Sequence, residues 1–255
     1  MSVTLNRRQL LQGTGLMAAA AAISPLMQGT ASAAGPPFIT AYGASVALGM
    51  GLGKRPPKNS TWFDQTRIAL QVPGANSAYP GTTLFDTIER QASPPIAGAP
   101  PRSTYGQFFW GGHSDVVKGA GRYVQLNLRT MVEKYPGSPY LILGLTNGSV
   151  GGNNDVEYAY YNEAIAPGGI NTKLAQEHGE NFFDVQAFLV DRGPDGAMAL
   201  AGLAPSAADL QAIKEYRVPD SLRNLNQKVH LNLIGQTRVH EKVTARVKAA
   251  GWFTA

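Results

Sequence analysis

The chain has 255 residues, 44% of them hydrophobic and none of them cysteine, so it can bury a core of ordinary domain size but cannot use disulfides or thiolate chemistry. Its formal charge of +5 comes from 22 Lys and Arg against 17 Asp and Glu. The basic residues are scattered apart from Lys54-Arg55 and Lys58 around a Pro-Pro pair, a pattern that reads as a solvated loop and excludes a nucleic-acid-binding stripe.

The chain opens with Asn6-Arg7-Arg8-Gln9-Leu10-Leu11, then a weakly apolar stretch from Met17 to Ile23, then Ala31-Ser32-Ala33. A basic pair, an apolar run and a small-residue cleavage site in that order predict a cleavable twin-arginine export signal over residues 1–33. The expected partner of this segment is the twin-arginine export machinery, and the expected location is the periplasm or the outside of the cell. The apolar run falls short of the ~18 residues that span a bilayer, and no cysteine is present for a lipid anchor, so no stable membrane anchor is expected. Residues 34–255 contain no internal repeat and no low-complexity linker, and read as one domain.

Along that domain, strands and helices alternate. Phe38 to Tyr42 is a short apolar strand ending at Gly43. Trp62 to Leu70 and Leu84 to Gln91 have helical spacing. Gln107 to Trp110 is strand-like, and Tyr123 to Tyr135 puts Val124, Leu128 and Met131 on one helical face. Pro139 to Leu145 is a continuous apolar run, the signature of a strand buried on both faces of a parallel sheet. Val156 to Ala166 and Thr172 to His178 are predicted helices, and Phe182 to Val185 a strand. Ser206 to Tyr216 is a helix with Ser206 at its N-cap and Asp209 at the third helical position, and Gln236 to Ala249 is the closing helix. Alternation of this kind predicts an α/β three-layer sandwich around a flavodoxin-like, mainly parallel sheet. Ligands in such sheets sit beyond the carboxyl ends of the strands. Glycines and polar residues gather there: Gly43-Ala44-Ser45, Gly111-Gly112-His113-Ser114-Asp115 and Thr146-Asn147-Gly148.

Two of these residues suit nucleophilic catalysis. Ser45 follows the first strand directly, where its hydroxyl is exposed; an N-cap serine is the plainer use of the same position. The segment is not the G-x-S-x-G elbow, because position 47 is alanine. His230, in Gln227-Lys228-Val229-His230, precedes the last helix and can reach back over the sheet as a general base; a capping histidine is the alternative. His113 lies in a strand-end segment and is expected to line the site without a catalytic role. His178 and His240 read as structural or solvated. Gly49 to Gly53 does not match a nucleotide-binding fingerprint and reads as a flexible turn beside Ser45. Asn153-Asn154-Asp155 with Glu157 lacks EF-hand spacing, so neither a metal nor a cofactor is expected. Trp62, Trp110 and Tyr158-Tyr160-Tyr161 suit either sugar stacking or core packing.

Four segments together resemble the SGNH, or GDSL-like, hydrolase superfamily. Tyr42-Gly43-Ala44-Ser45 is similar to its first block, usually Gly-Asp-Ser. Tyr79-Pro80-Gly81-Thr82-Thr83 is similar to the second. Trp110-Gly111-Gly112-His113-Ser114-Asp115 is similar to the third, usually Gly-x-Asn-Asp, and Gln227-Lys228-Val229-His230 to the fifth, usually Asp-x-x-His. The resemblance spans Phe38 to about Trp252. It implies an esterase in which Ser45 attacks an ester carbonyl and His230 takes its proton, with the N–H of Ser45, the N–H of Gly81 and the side chain of Ser114 as oxyanion donors. It also marks three departures: Ala44 for the usual Asp, Ser114 for the usual Asn, and Gln227 for the Asp that orients the histidine. Asp115 and Asp184, expected near strand ends, are the candidate acids to replace it, and a backbone carbonyl orienting the ring is the other option. The implied substrate is a small-molecule or carbohydrate ester. The alternatives are a non-catalytic ligand-binding protein on the same fold and an acyltransferase.

Overall fold

In a computed structural model of the chain, the described residues are 37–92, 100–147, 156–227 and 229–253. The proposed signal and the Asn153 to Asp155 turn lie outside them. Five strands form one sheet: β1 (Ile39–Gly43), β2 (Gly74–Asn76), β3 (Gly106–Trp110), β4 (Tyr140–Leu143) and β5 (Phe182–Phe183). All neighbours pair in parallel, in the order β2-β1-β3-β4-β5. The helices between them are α1 (Ser45–Leu48), α2 (Trp62–Leu70), α3 (Leu84–Ala92), α4 (His113–Val117), α5 (Val124–Glu133), α6 (Val156–Ile165), α7 (Ile170–His178), α8 (Val185–Val190), α9 (Ala197–Leu200), α10 (Ala207–Lys214) and α11 (Leu233–Ala249). The expected fold class therefore holds.

Side-chain alternation along the strands makes the three layers. Phe108 and Trp110 of β3 point to one face, where they pack with Trp62 and Phe63 of α2 and with Val239, Val243 and Val247 of α11. Phe109, between them, points to the other face, with Leu84, Val124, Leu128 and Leu174 of α3, α5 and α7. Trp62 is fully buried and meets Trp110 edge-on at 5.5 Å and Phe108 at 5.7 Å. Its indole N–H donates to the Ala47 carbonyl at 2.8 Å, and that of Trp110 to Gly144 at 3.1 Å. Both tryptophans are core residues, so neither is a sugar platform. Removing a ring of this kind costs about 3–5 kcal/mol.

Three local expectations change. The run at 182–185 is a two-residue strand followed by a helix, because the Asp184 carboxylate accepts the Ala187 N–H and caps α8. The closing helix begins earlier, at Leu233, where Asn232 accepts the Gly235 N–H. β2 has no counterpart in the sequence reading, since Gly-Ala-Asn carries no strand-forming side chain; it exists because it is laid against β1. The helix at 207–214 is entered as expected, through a reciprocal capping box between Ser206 and Asp209.

The order 2-1-3-4-5 places β1 between strands reached in opposite directions. A crevice opens at such a point, beyond the carboxyl ends of β1 and β3, and there the chain places Ser45 and His113.

Candidate active site

Ser45 is held by a glycine that no other residue can replace. Gly43 ends β1 with φ +148°, and a Cβ there would lie 2.1 Å from the Trp110 carbonyl oxygen. The close approach of β1 to β3 thus requires glycine. Ala44, buried and extended, then turns the chain so that Ser45 opens α1. As the first residue of a helix, Ser45 has an N–H without an intrahelical acceptor.

His230 is brought to it from the other end of the chain. Its Nε2 lies 2.8 Å from the Ser45 hydroxyl oxygen, across 185 residues of sequence. The loop that carries it is fastened to the turn after α1. The Asn224 side chain donates to the Gly51 carbonyl at 2.7 Å, and the Asn224 N–H donates to the His230 carbonyl at 2.8 Å. A Cβ on Gly51 would lie 1.9 Å from the Leu231 oxygen and 3.1 Å from the His230 Cβ. The glycine-rich turn read as flexible is therefore the surface on which the histidine loop seats. Beyond it, the Gln236 side chain of α11 accepts the Trp62 N–H at 3.0 Å, locking the last helix to the second.

The second loop is fixed from β1. The Gly43 carbonyl accepts the Tyr79 N–H at 3.0 Å, and Thr82 Oγ1 donates to the Tyr79 carbonyl at 2.7 Å. Gly81 follows in the left-handed region at φ +72°, where glycine is at ease. Its carbonyl accepts Lys118 Nζ at 2.8 Å. The third loop is tied to the second by Asp115, whose two carboxylate oxygens accept the Leu84 N–H at 3.2 and 3.0 Å. Burial pushes this carboxyl up to about 6.

Ser45, Gly81, His113, Ser114, Gln227 and His230 all line one cleft of about 400 Å³, with Val117, Lys118, Tyr161 and Val229 completing its wall. Every site residue expected from the sequence is thus in one place. Among the described residues, the cleft wall contains no carboxylate. Asp115 is occupied with α3, and Asp184 with α8 and Asn171; neither stands behind His230, so the expected substitutes for the missing acid are not substitutes. His230 Nδ1 and Gln227 Oε1 are both buried and have no hydrogen-bond partner among the described residues. With no anion behind it, the imidazole is pushed down by burial alone, to about 4.

His113 was expected to line the site and does, but its surroundings carry more information than its position in the sequence. It is 3% exposed, and its Nε2 accepts the Thr146 N–H at 3.0 Å. Burial first, and then the neighbouring His230, push it down to about 3. The sequence offered no sign of the Thr146 contact, which depends on β4 lying beside β3.

The arrangement can be matched to known proteins by shape. A lipolytic protein assigned to the G-D-S-L family from Desulfitobacterium hafniense DCB-2 is similar over 82% of this chain and 99% of its own, with a TM-score of 0.57 and 14% identity. A phospholipase A1 from Streptomyces albidoflavus NA297 gives 0.53 and 13%, covering 85% of this chain and 99% of that one. An acetyl xylan esterase, AlAXEase, gives 0.51 and 16%, covering 82% and 99%.

This chain has the SGNH hydrolase fold.

No family model matches the sequence and no curated protein matches it. Ser45, Gly81 and His230, expected from the motif resemblance, line the cleft together with Ser114 and Gln227, two of the three expected departures. Ala44 has a local outcome: α1 has no side-chain cap.

Proposed function

We propose that the protein is an exported serine esterase that works through a Ser45–His230 dyad. The observation that carries this reading is the 2.8 Å contact between His230 Nε2 and the Ser45 hydroxyl, inside a cleft that also holds Gly81 and Ser114. The contact lies within the range needed for proton transfer from nucleophile to base.

In the reaction, Ser45 Oγ attacks the ester carbonyl carbon while its proton passes to His230 Nε2. The carbonyl π pair becomes an oxyanion, met by the N–H groups of Ser45 and Gly81 and by the Ser114 hydroxyl. Collapse of the intermediate breaks the bond to the alcohol, which leaves with the proton from His230. Water then repeats the sequence on the acyl-enzyme, losing a proton to His230 and releasing the carboxylic acid. Donors fixed in advance at the developing charge account for much of the rate in such sites.

The site performs this with a handicap. In serine proteases, replacing the acid behind the histidine by its amide costs roughly ten-thousandfold, or about 5.5 kcal/mol of barrier. Gln227 stands at that place here. A histidine pushed down to about 4 is neutral, and so able to accept a proton, through most of the pH range, but it is a weaker base when it does so. The same observation favours one rival reading, a binding protein that kept the cleft and lost turnover.

The cleft volume suits a short acyl group and part of its alcohol. An acyl ester on an envelope or extracellular carbohydrate is the substrate class we favour. The acetyl xylan esterase among the similar structures and the expected export signal support it. The test is hydrolysis of p-nitrophenyl acetate by the mature protein, together with covalent labelling by a fluorophosphonate. Turnover and labelling that both vanish in Ser45→Ala support the enzyme; neither in the native protein, with retained carbohydrate binding, supports the rival. Export is tested separately. Converting Arg7 and Arg8 to lysine should leave uncleaved precursor in the cytoplasm, and normal maturation of that variant removes the signal assignment.

A further inference from the structure

The cleft wall carries one charge, and the reaction proposed above has no use for it. Of the described residues in the wall, only Lys118 and the two histidines bear basic groups. Burial holds His113 down at about 3 and His230 at about 4, so both are neutral at pH 7. Lys118 is left as the single charged group. Its place is set at both ends. The Lys118 N–H closes α4 by donating to the Ser114 carbonyl at 3.1 Å, and its exposed side chain runs to the second loop, where Nζ donates to the Gly81 carbonyl at 2.8 Å. Gly81 is itself a wall residue, so this bond holds the ammonium at the lip of the cleft. An ammonium has three N–H donors, and the carbonyl takes one. Asp86 and Asp115 both feel the charge, but each is held elsewhere: Asp86 by the Thr83 N–H and hydroxyl, at 2.8 Å each, and Asp115 by the Leu84 N–H. Among the described residues, no carboxylate forms an ion pair with Lys118.

We infer that Lys118 is a specificity residue of this site, and that it binds an anionic group, a carboxylate or a phosphate, carried by the ester. The inference rests on the ester-hydrolase reading of the cleft and narrows its substrate class. About 400 Å³ is the volume of one small ligand, so a molecule that reaches Ser45 lies against the rest of the wall as well. Val117, Tyr161 and Val229 give that wall apolar stretches, and low-dielectric walls focus the field of a lone charge. The two remaining N–H groups of the ammonium supply hydrogen bonds to an anion. The Gly81 carbonyl already restrains the lysine, so less side-chain freedom is lost when the anion binds. Within the carbohydrate class favoured above, this selects an ester on an acidic or phosphorylated sugar over one on a neutral sugar.

The experiment gives mature protein two acetyl esters of similar shape and different charge, 4-acetoxybenzoate and 4-acetoxybenzamide. The quantity read is the ratio of their kcat/KM values, anion over neutral. Intrinsic reactivity, and any general disturbance of the Gly81 loop, cancel when this ratio is compared between variants. It should fall roughly fivefold in Lys118→Met, the upper range for a partly exposed ion pair, fall further in Lys118→Glu, and be kept in Lys118→Arg. The change should lie mainly in KM, and about 0.5 M NaCl should remove much of it. 4-Acetoxyphenyl phosphate in the same series tells which anion is preferred, by the larger Lys118-dependent ratio. A ratio that is the same in native, Lys118→Met and Lys118→Glu proteins overturns the inference with the enzyme active. Binding is measured separately, by NMR titration of Ser45→Ala protein with 4-acetamidobenzoate and 4-acetamidobenzamide. Tighter binding of the anion, lost when Lys118→Glu is added, keeps the anion subsite even if no ester is cleaved and the esterase reading fails. Equal or undetectable binding of the two, in a protein that cleaves neither ester, removes both.

Discussion

The two sides of the His230 ring contrast. On the front, Nε2 meets Ser45 at 2.8 Å, and the backbone that carries it is pinned by Asn224 and seated on Gly51. On the back, Nδ1 is buried with no hydrogen-bond partner among the described residues, as is the side-chain oxygen of Gln227. The contrast teaches that alignment and activation are separate properties of a catalytic pair. In the proposed pair, loop packing supplies alignment, while activation needs a charge that the described residues of the cleft wall do not place behind the ring.

The largest effect expected is from Ser45→Ala, which removes the front of the pair. It should lower p-nitrophenyl acetate hydrolysis by about a thousandfold or more, with an unchanged circular dichroism spectrum. Equal activity in both proteins would point to another nucleophile.

Gly51→Ala attacks alignment without touching either reacting group. Its Cβ would sit 1.9 Å from the Leu231 oxygen, so the histidine backbone must move. A displacement of about 1 Å at a reacting group can cost roughly a hundredfold, and kcat should fall on that scale together with Tm. A variant with native kcat would show that the loop is not what positions His230.

Gln227→Asp attacks the other half of the comparison. An anion behind the ring should raise kcat/KM by about ten- to a hundredfold, a fraction of the full ten-thousandfold effect known from serine proteases. It should also lift the histidine from about 4 toward its ordinary range. The native enzyme needs neutral His230, so its kcat/KM should hold from pH 7 down to about 5 and fall as pH drops through about 4. In Gln227→Asp the same limb should move to higher pH. An acid limb near 6.5 in the native protein would mean that something else charges the ring.

The same depressed values make a stability prediction. His113 and His230 are held at about 3 and about 4 in the folded state, below the ordinary ~6.5 of an unfolded histidine. Between those limits the unfolded chain binds more protons, so each contributes stability that is intact above pH 6.5 and declines as pH falls through the folded value. The slope is about 1.4 kcal/mol per pH unit for each fully differential proton. Asp115, raised to about 6, acts in the opposite sense between about 3.9 and 6. With His240 also pushed down to about 4 by burial, the histidines outweigh the raised carboxyls of Asp115 and Asp184, and the net loss on acidification should be visible as a falling urea midpoint from pH 6.5 to pH 5.

The smallest effect expected is from Asp184→Ala. It should cost about 1 kcal/mol through the lost cap of α8, and it should leave hydrolysis within about twofold of native. A large loss of kcat would restore Asp184 as the missing acid.

Much of this was legible in the sequence, for identifiable reasons. β1, β3 and β4 announce themselves because strands buried on both faces are written in apolar residues, as Leu141-Ile142-Leu143 is. Ser45 was legible because it follows an apolar strand directly and His230 because it precedes the last helix, whereas Gly81, Ser114 and Gln227 came from the motif resemblance; all five line one cleft. What was hidden depends on contact across the fold. β2 is a strand only through its neighbour. The Gly49 to Gly53 turn looked loose because its stiffness comes from Leu231, 180 positions away from Gly51. The tautomer of His113 is set by Thr146 from the next strand, and the failure of Asp115 and Asp184 to reach His230 follows from caps that compete for their oxygens.

The clasp between Asn224 and Gly51 has a further consequence in time. Ser45 stands at the end of the first strand, but its proposed base is 185 residues downstream. It arrives only when the segment leading into α11 closes over the glycine turn and Gln236 docks on Trp62. A chain lacking that segment holds Ser45 without its proposed base. In the proposed reading, the two reacting groups meet only in a chain that runs through to the last helix.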